Sequence, residues 1–255
     1  MTLSEILHHS TDEFLVLLVL CLVVAGLLKG IIGVGMPIVA MPMLTLLLNV
    51  PAAVGLLSVP LLLTNVPQAL EGDRTWPRVV SLIPVFAGMI PGTILGVRLL
   101  VGFDAHSEYL VVGGILFMVA TLMIFKPSIA VSQEHRRSVG LGVGLLGGML
   151  GGLAAMPGPI VFMYLLGCGL RGPQFIKDAS IFLIGASAIL AVALAAGSHM
   201  TVSDVLISCL ASIPVFLGMY FGQKLRGFIR EEAFRRCVML VVLLSAVDLI
   251  RRGLG

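Results

Sequence analysis

The residues of this chain that could do chemistry are few, mostly neutral, and set inside apolar runs. Lys29 follows fifteen consecutive residues without a charged or amide side chain, Phe14 to Leu28. Ser58 and Ser180 lie 122 residues apart, and so do Asn65 and Ser187. A polar group inside such a run is a functional candidate by default, because burying it costs free energy that some interaction must offset. Hydroxyl and amide donors can meet an oxyanion without the desolvation cost of a full charge, and Lys29 would add one positive charge. The plainer readings are a serine bonded to its own helix, a bond between helices, and a lysine snorkelling to the membrane surface.

These residues lie close to two places where glycine and proline interrupt an apolar run. One reads GIIGVGMPIVAMP at 30–42, the other GMLGGLAAMPGPIV at 148–161. Proline removes a helix donor and clashes with the preceding turn, and glycine permits the backbone that follows. Unpaired backbone at membrane depth is tolerated only where protein buries it or a wet cavity faces it. N–H groups freed at half-helix starts favour an anion. The candidate substrate site is therefore Gly33, Gly35, Met36 and Pro37 at the first break, Gly151, Gly152, Met156 and Pro157 at the second, and Lys29, Ser58, Asn65, Ser180 and Ser187 around them. Glycine alone at four-residue spacing reads instead as close helix packing. Gly88, Gly92, Gly218 and Gly222 are assigned to that role.

The elements that must position these groups follow from composition. Of 255 residues 58% are hydrophobic and 11% charged, and the mean hydropathy is +1.12. Soluble domains carry about 25% charged residues, so lipid must be the solvent for much of this chain. The net charge of +3 is too small to suggest nucleic acid. Cys21, Cys168, Cys209 and Cys237 stand singly in apolar runs, without metal-ligand spacing, and are expected as buried free thiols. No metal site is implied by His8, His9, His106, His135 and His199, which fall in tails or connections. No cofactor is implied.

Ten apolar segments are predicted, at about 13–34, 36–49, 51–70, 77–100, 107–125, 138–155, 157–169, 173–196, 202–224 and 233–250. The second and seventh are too short to cross a bilayer comfortably, and could cross or form re-entrant hairpins. The chain also repeats itself: IPVFAGMIPG at 83–92 and IPVFLGMYFG at 213–222 agree at seven of ten positions. The first copy leads into a near-neutral stretch and the second into a basic one. An N-terminal repeat at 1–125, a cytoplasmic linker at 126–137 and a C-terminal repeat at 138–255 then hold five segments each. Because five is odd, the second repeat is expected to be inverted, a habit of secondary transporters. With both termini outside, twelve of the sixteen Lys and Arg residues face inward, as the positive-inside rule asks. Arg98 reads as an interfacial anchor, Lys177 and Asp178 as a surface feature, and Gln68 and Glu71 as a solvated inner end.

The paired Gly/Pro breaks, the length, the duplication and the scarcity of charge together resemble the TauE/SafE family, also called the 4-toluene sulfonate uptake permeases. The likeness covers essentially the whole chain, on glycine patterns of moderate specificity. Gly33-Val34-Gly35-Met36-Pro37 and Gly151-Gly152-Leu153-Ala154-Ala155-Met156-Pro157 depart from the family's run of three glycines. The resemblance implies an all-α polytopic protein of the bacterial plasma membrane that moves sulfite, sulfoacetate or other organosulfonates. Expected partners are a small anionic substrate, the lipid bilayer, a coupling proton or ion and a second copy in a homodimer. Two other functions compete with it. One is a passive anion channel. The other is an intramembrane serine hydrolase built on Gly185-Ala186-Ser187-Ala188, which lacks the final glycine of such motifs and a histidine base in a later apolar segment. No Walker A sequence is present, so the chain alone is not an ATP-driven pump.

Overall fold

The computed structural model describes residues 11–33, 35–71, 75–125, 130–226 and 231–255, without the side chains of Thr75 and of 231–238. The expectations for His8, His9, Arg74, Lys126, Arg230 and the side chains of Arg235, Arg236 and Cys237 fall outside these residues. Among the described residues the structure is entirely helical: α1 Asp12–Ile32, α2 Met36–Leu44, α3 Val50–Leu70, α4 Thr75–Ser81, α5 Ile83–Gly102, α6 Ala105–Phe125, α7 Arg136–Ala154, α8 Gly158–Gly167, α9 Gly172–Ala196, α10 Val202–Leu225 and α11 Glu231–Leu254. Among them α1, α3, α5, α6, α7, α9 and α10 are long and apolar enough to span a bilayer. α2 and α8, with 9 and 10 residues, are half that length.

Local chemistry places the ends. Thr11 caps α1, Asn49 caps α3 through the Ala52 N–H, and Thr201 with Asp204 forms a capping box on α10. Such caps satisfy orphan N–H groups that lipid cannot. Leu17, Leu20, Leu206, Leu210 and Leu217 stay exposed on the faces of α1 and α10, which is how a lipid-facing surface differs from a soluble one. The predicted fourth segment divides at Leu82, just before Pro84, into α4 and α5. The same Ile-Pro step at 213–214 runs unbroken inside α10.

Two seams of small residues hold the bundle. On α1, a Cβ added to Gly26 or Gly30 would collide with the Val215 or Met219 carbonyl of α10. On α7, a Cβ on Gly144 or Gly148 would collide with the Val85 or Met89 carbonyl of α5. Gly88, Gly92, Gly218 and Gly222 meet backbone from the opposite side of the same seams, as close packing without a hydrophobic drive requires. In both seams residue numbers rise together, so α1 runs parallel to α10 and α5 parallel to α7. Two other pairs run antiparallel. Gln68 and Glu71 of α3 meet Ser180 and Lys177 of α9, and Gly113 of α6 lies by Ile250 of α11 while Gly253 of α11 lies by Leu110 and His106.

Candidate functional site

The first break begins where Gly33 takes φ +92° and donates its N–H to the Lys29 carbonyl at 2.7 Å. Gly35 follows at φ +88° and opens α2, with Pro37 in its first turn. Positive φ is nearly free for glycine and strained for other residues. The second break places an alanine in that role: Ala155 has φ 53°, and its N–H reaches the Gly151 carbonyl at 2.8 Å. Gly151 and Gly152 do not form this break, contrary to expectation. They lie within α7, where a Cβ on Gly152 would sit 2.7 Å from the Thr93 carbonyl and one on Gly151 3.2 Å from Pro157. Their smallness serves packing.

The two breaks meet. Gly35, Pro37 and Ile38 from the first, and Met156, Gly158, Pro159, Phe162 and Leu183 from the second half, line one apolar cavity of about 10 Å³. That is room for about one water molecule. The starts of α2 and α8 both border it. Met36 is buried beside it rather than on its wall. Pro157 is the residue that precedes α8.

The polar candidates separate into a cluster and two isolated groups. Lys29, 1% exposed, donates from Nζ to Asn65 Oδ1 at 2.7 Å, and Asn65 is fully buried. Asn65 donates its own amide back to the Leu61 carbonyl, which turns its oxygen toward the lysine. One turn further along α3, Gln68 accepts from Ser180 Oγ at 3.2 Å. A Cβ on Gly33 would stand 3.8 Å from the Gln68 amide nitrogen and 3.7 Å from the Arg226 guanidinium. The first break, Lys29, Asn65, Gln68 and Ser180 therefore share one neighbourhood. Snorkelling does not describe Lys29, whose ammonium is enclosed.

Ser58 and Ser187 stand apart. Ser58 donates to the Gly55 carbonyl at 2.7 Å and packs on Met200, two turns from Asn65. Ser187 donates to the Leu183 carbonyl of its own helix at 2.8 Å, the back-bonding common for serine in apolar helices.

Sequence reasoning treated the start of α9 as surface, and the structure corrects this. Lys177 and Asp178 are buried, with the Lys177 ammonium on the Glu71 carbonyl at 2.6 Å and Asp178 paired to Arg78 at 2.6 Å. Gln68 is buried too, although Glu71 is exposed. An Arg and an Asp 100 residues apart carry no local signal, so this latch was invisible in the sequence. Arg98 is exposed, as an anchor should be, and with His199 it borders an open apolar groove of about 600 Å³ between α5 and α9. The cysteines are less buried than expected: Cys21 and Cys168 are half-buried and Cys209 is exposed, since a thiol facing lipid loses nothing.

Seven helices long and apolar enough to span a bilayer, two breaks that meet at one cavity, and a buried lysine bonded to an amide oxygen describe a polytopic membrane protein. The chain belongs to the sulfite exporter TauE/SafE family, whose model matches residues 18–249. No curated protein and no solved structure matches it.

Proposed function

We propose that this protein is a secondary transporter of small sulfur-containing anions, such as sulfite, sulfoacetate or another organosulfonate, working by alternating access. The observation that carries the reading is Lys29. Its ammonium has three donors, and among the described residues one is spent, on the neutral Asn65. A sulfonate or sulfite oxygen would complete both the hydrogen bonds and the charge balance. Gln68 and Ser180 are in place to take a second oxygen, and the starts of α2 and α8 would direct N–H groups toward it. Pro37 and Pro159 leave fewer such groups than an ordinary helix start, which puts more of the binding on side chains.

The helix directions support inverted repeats. If α2 and α8 each reverse the chain, and α4–α5 counts as one segment, there are ten alternating segments. Alternation then requires α1 parallel to α10, α5 parallel to α7, α3 antiparallel to α9 and α6 antiparallel to α11. All four pairs run that way. Without α2 and α8 there would be eight segments, and the last two pairs would be parallel. With α3 opposed to α9 and α6 to α11, equivalent helices of the two halves are inverted. The basic connections then favour a bacterial plasma membrane protein with both termini outside.

A channel would need a continuous wet path, and the cavity of about 10 Å³ at the breaks favours a closed carrier state instead. The test is uptake of sulfite, sulfoacetate and methanesulfonate into liposomes holding the purified protein. Saturable flux and accelerated exchange with unlabelled anion on the far side are expected. Non-saturating flux would establish the channel, and no flux of any of the three would remove the transporter reading.

A further inference from the structure

The cost of burying Lys29 has a consequence for coupling, and this inference rests on the transporter reading above. We propose that Lys29 carries the coupling proton: it is an ammonium when the anion is bound and a neutral amine when the site is empty. An isolated ammonium in an apolar interior costs several kcal/mol unless it is paired, and such groups neutralise instead. Among the described residues no carboxylate pairs with Lys29, and its hydrogen-bond partner is the neutral Asn65 oxygen.

The surroundings element by element bear this out. α1 itself carries Asp12 and Glu13 at its opposite end, some 25 Å away along the helix. α2 contributes no ionisable side chain. α3 offers the neutral Asn65 and Gln68, and Glu71 at its end is exposed. α10, the seam partner of α1, brings Lys224 and Arg226 at its C-terminal end, both cations, which raise the cost further. On α9, Asp178 is paired with Arg78 and Lys177 with the Glu71 carbonyl. Among the described residues the favourable contributions are the Asn65 oxygen and the carbonyl end of the α1 dipole, the latter worth about 1 kcal/mol.

The cycle balances. On the loading side the empty carrier, with Lys29 as amine, takes up one anion and one proton from solution. The proton forms the fourth bond of the nitrogen, and the loaded site gains one negative and one positive charge. On the other side both leave, and the amine form returns without a net charge. For a monoanion the cycle is electroneutral proton symport. Glu71, at first sight the natural proton carrier here, is exposed and need not take part.

The experiment uses the full-length chain in liposomes containing a pH-sensitive dye, with an inward gradient of methanesulfonate, and again with sulfoacetate and sulfite. Methanesulfonate stays ionised near neutral pH, so a proton entering with it is carried by the protein. Wild-type protein should acidify the lumen by about one proton per methanesulfonate, at a rate that a potassium–valinomycin voltage clamp leaves within about twofold. Arg remains charged at all accessible pH. In Lys29→Arg, whatever anion flux remains, reduced or not, should therefore carry at least about tenfold fewer protons per anion, a comparison that also corrects for sulfite's own proton. The wild-type ratio decides even if the variant fails to fold. Saturable flux without acidification, at a rate that follows membrane potential, would overturn the proton inference and leave the transporter standing. No flux with any of the three anions would overturn both.

Discussion

At the first break Lys29 hydrogen-bonds Asn65; at the equivalent place in the second half the pair is Gly147 and Ser187. The equivalence is geometric. Gly26 and Gly30 meet Val215 and Met219, while Gly144 and Gly148 meet Val85 and Met89. Lys29 therefore matches Gly147, and a Cβ on Gly147 would already sit 2.9 Å from Val161 of α8. A second lysine has no room, and Ser187 spends its hydroxyl on its own helix. The packing of the two seams matches and the charge does not. On the transporter reading proposed above, one lysine suits one monoanion, where two would suit a dianion.

The contacts between segments repeat the contrast. Pro60 cannot donate to the Leu56 carbonyl, and Ser208 of α10 supplies that bond instead, at 2.8 Å. The equivalent positions in the other half are Arg78 and Asp178, joined by a salt bridge at 2.6 Å. One end of the bundle is tied by a neutral hydroxyl and the other by a charged latch. A latch of charges can exchange its bonds for water when it opens, whereas the proline-freed carbonyl keeps a strict need for its hydroxyl.

The comparison can be broken at several points. The seams should be equally intolerant: Gly26→Val and Gly144→Val should each cost more than about 4 kcal/mol, read as loss of monodisperse protein in detergent. If only one collapsed, the two seams would not be equivalent. Arg78→Ala should destabilise by about 3 kcal/mol by stranding Asp178. Arg78→Ser combined with Asp178→Leu copies the other end, and should recover more than half of that loss in a thermal unfolding assay. Lys29→Met should weaken methanesulfonate binding by about 2 kcal/mol, roughly thirtyfold by calorimetry, while raising the unfolding temperature of the empty protein because a buried polar amine is gone. Gly147→Ala should leave binding unchanged. The smallest difference is expected at the amide and hydroxyl. Asn65→Ala should weaken binding by about 1 kcal/mol, and Ser187→Ala by less than about 0.5 kcal/mol, since its only bond is local.

Much of the architecture was readable because spanning segments announce themselves by length and hydropathy. The ten predicted segments match the helices closely, apart from the split at Leu82. The family was readable from the paired breaks. Of the candidate residues, the structure brings some together and sets others apart. Lys29 and Asn65 stood out because each is polar in an apolar run, and the structure joins them. Gly151 and Gly152 misled because glycine marks both breaks and contacts, and only packing decides between them. Ser58 and Ser187 misled because equal spacing signals duplication, which preserves position without preserving use. Gln68, and the Arg78–Asp178 latch, were missed because their partners come from distant segments.

The two parallel seams also set an order of assembly. Val85 and Gly144 are 59 residues apart, so the α5–α7 seam can close once α7 has entered the bilayer. Gly26 and Val215 are 189 residues apart. During synthesis α1 must therefore wait, its glycine stripe facing lipid or a chaperone, until α10 emerges. Its bare stripe is open to the wrong neighbour for most of that time. Any chain truncated before α10 would leave α1, and Lys29 on it, without that wall.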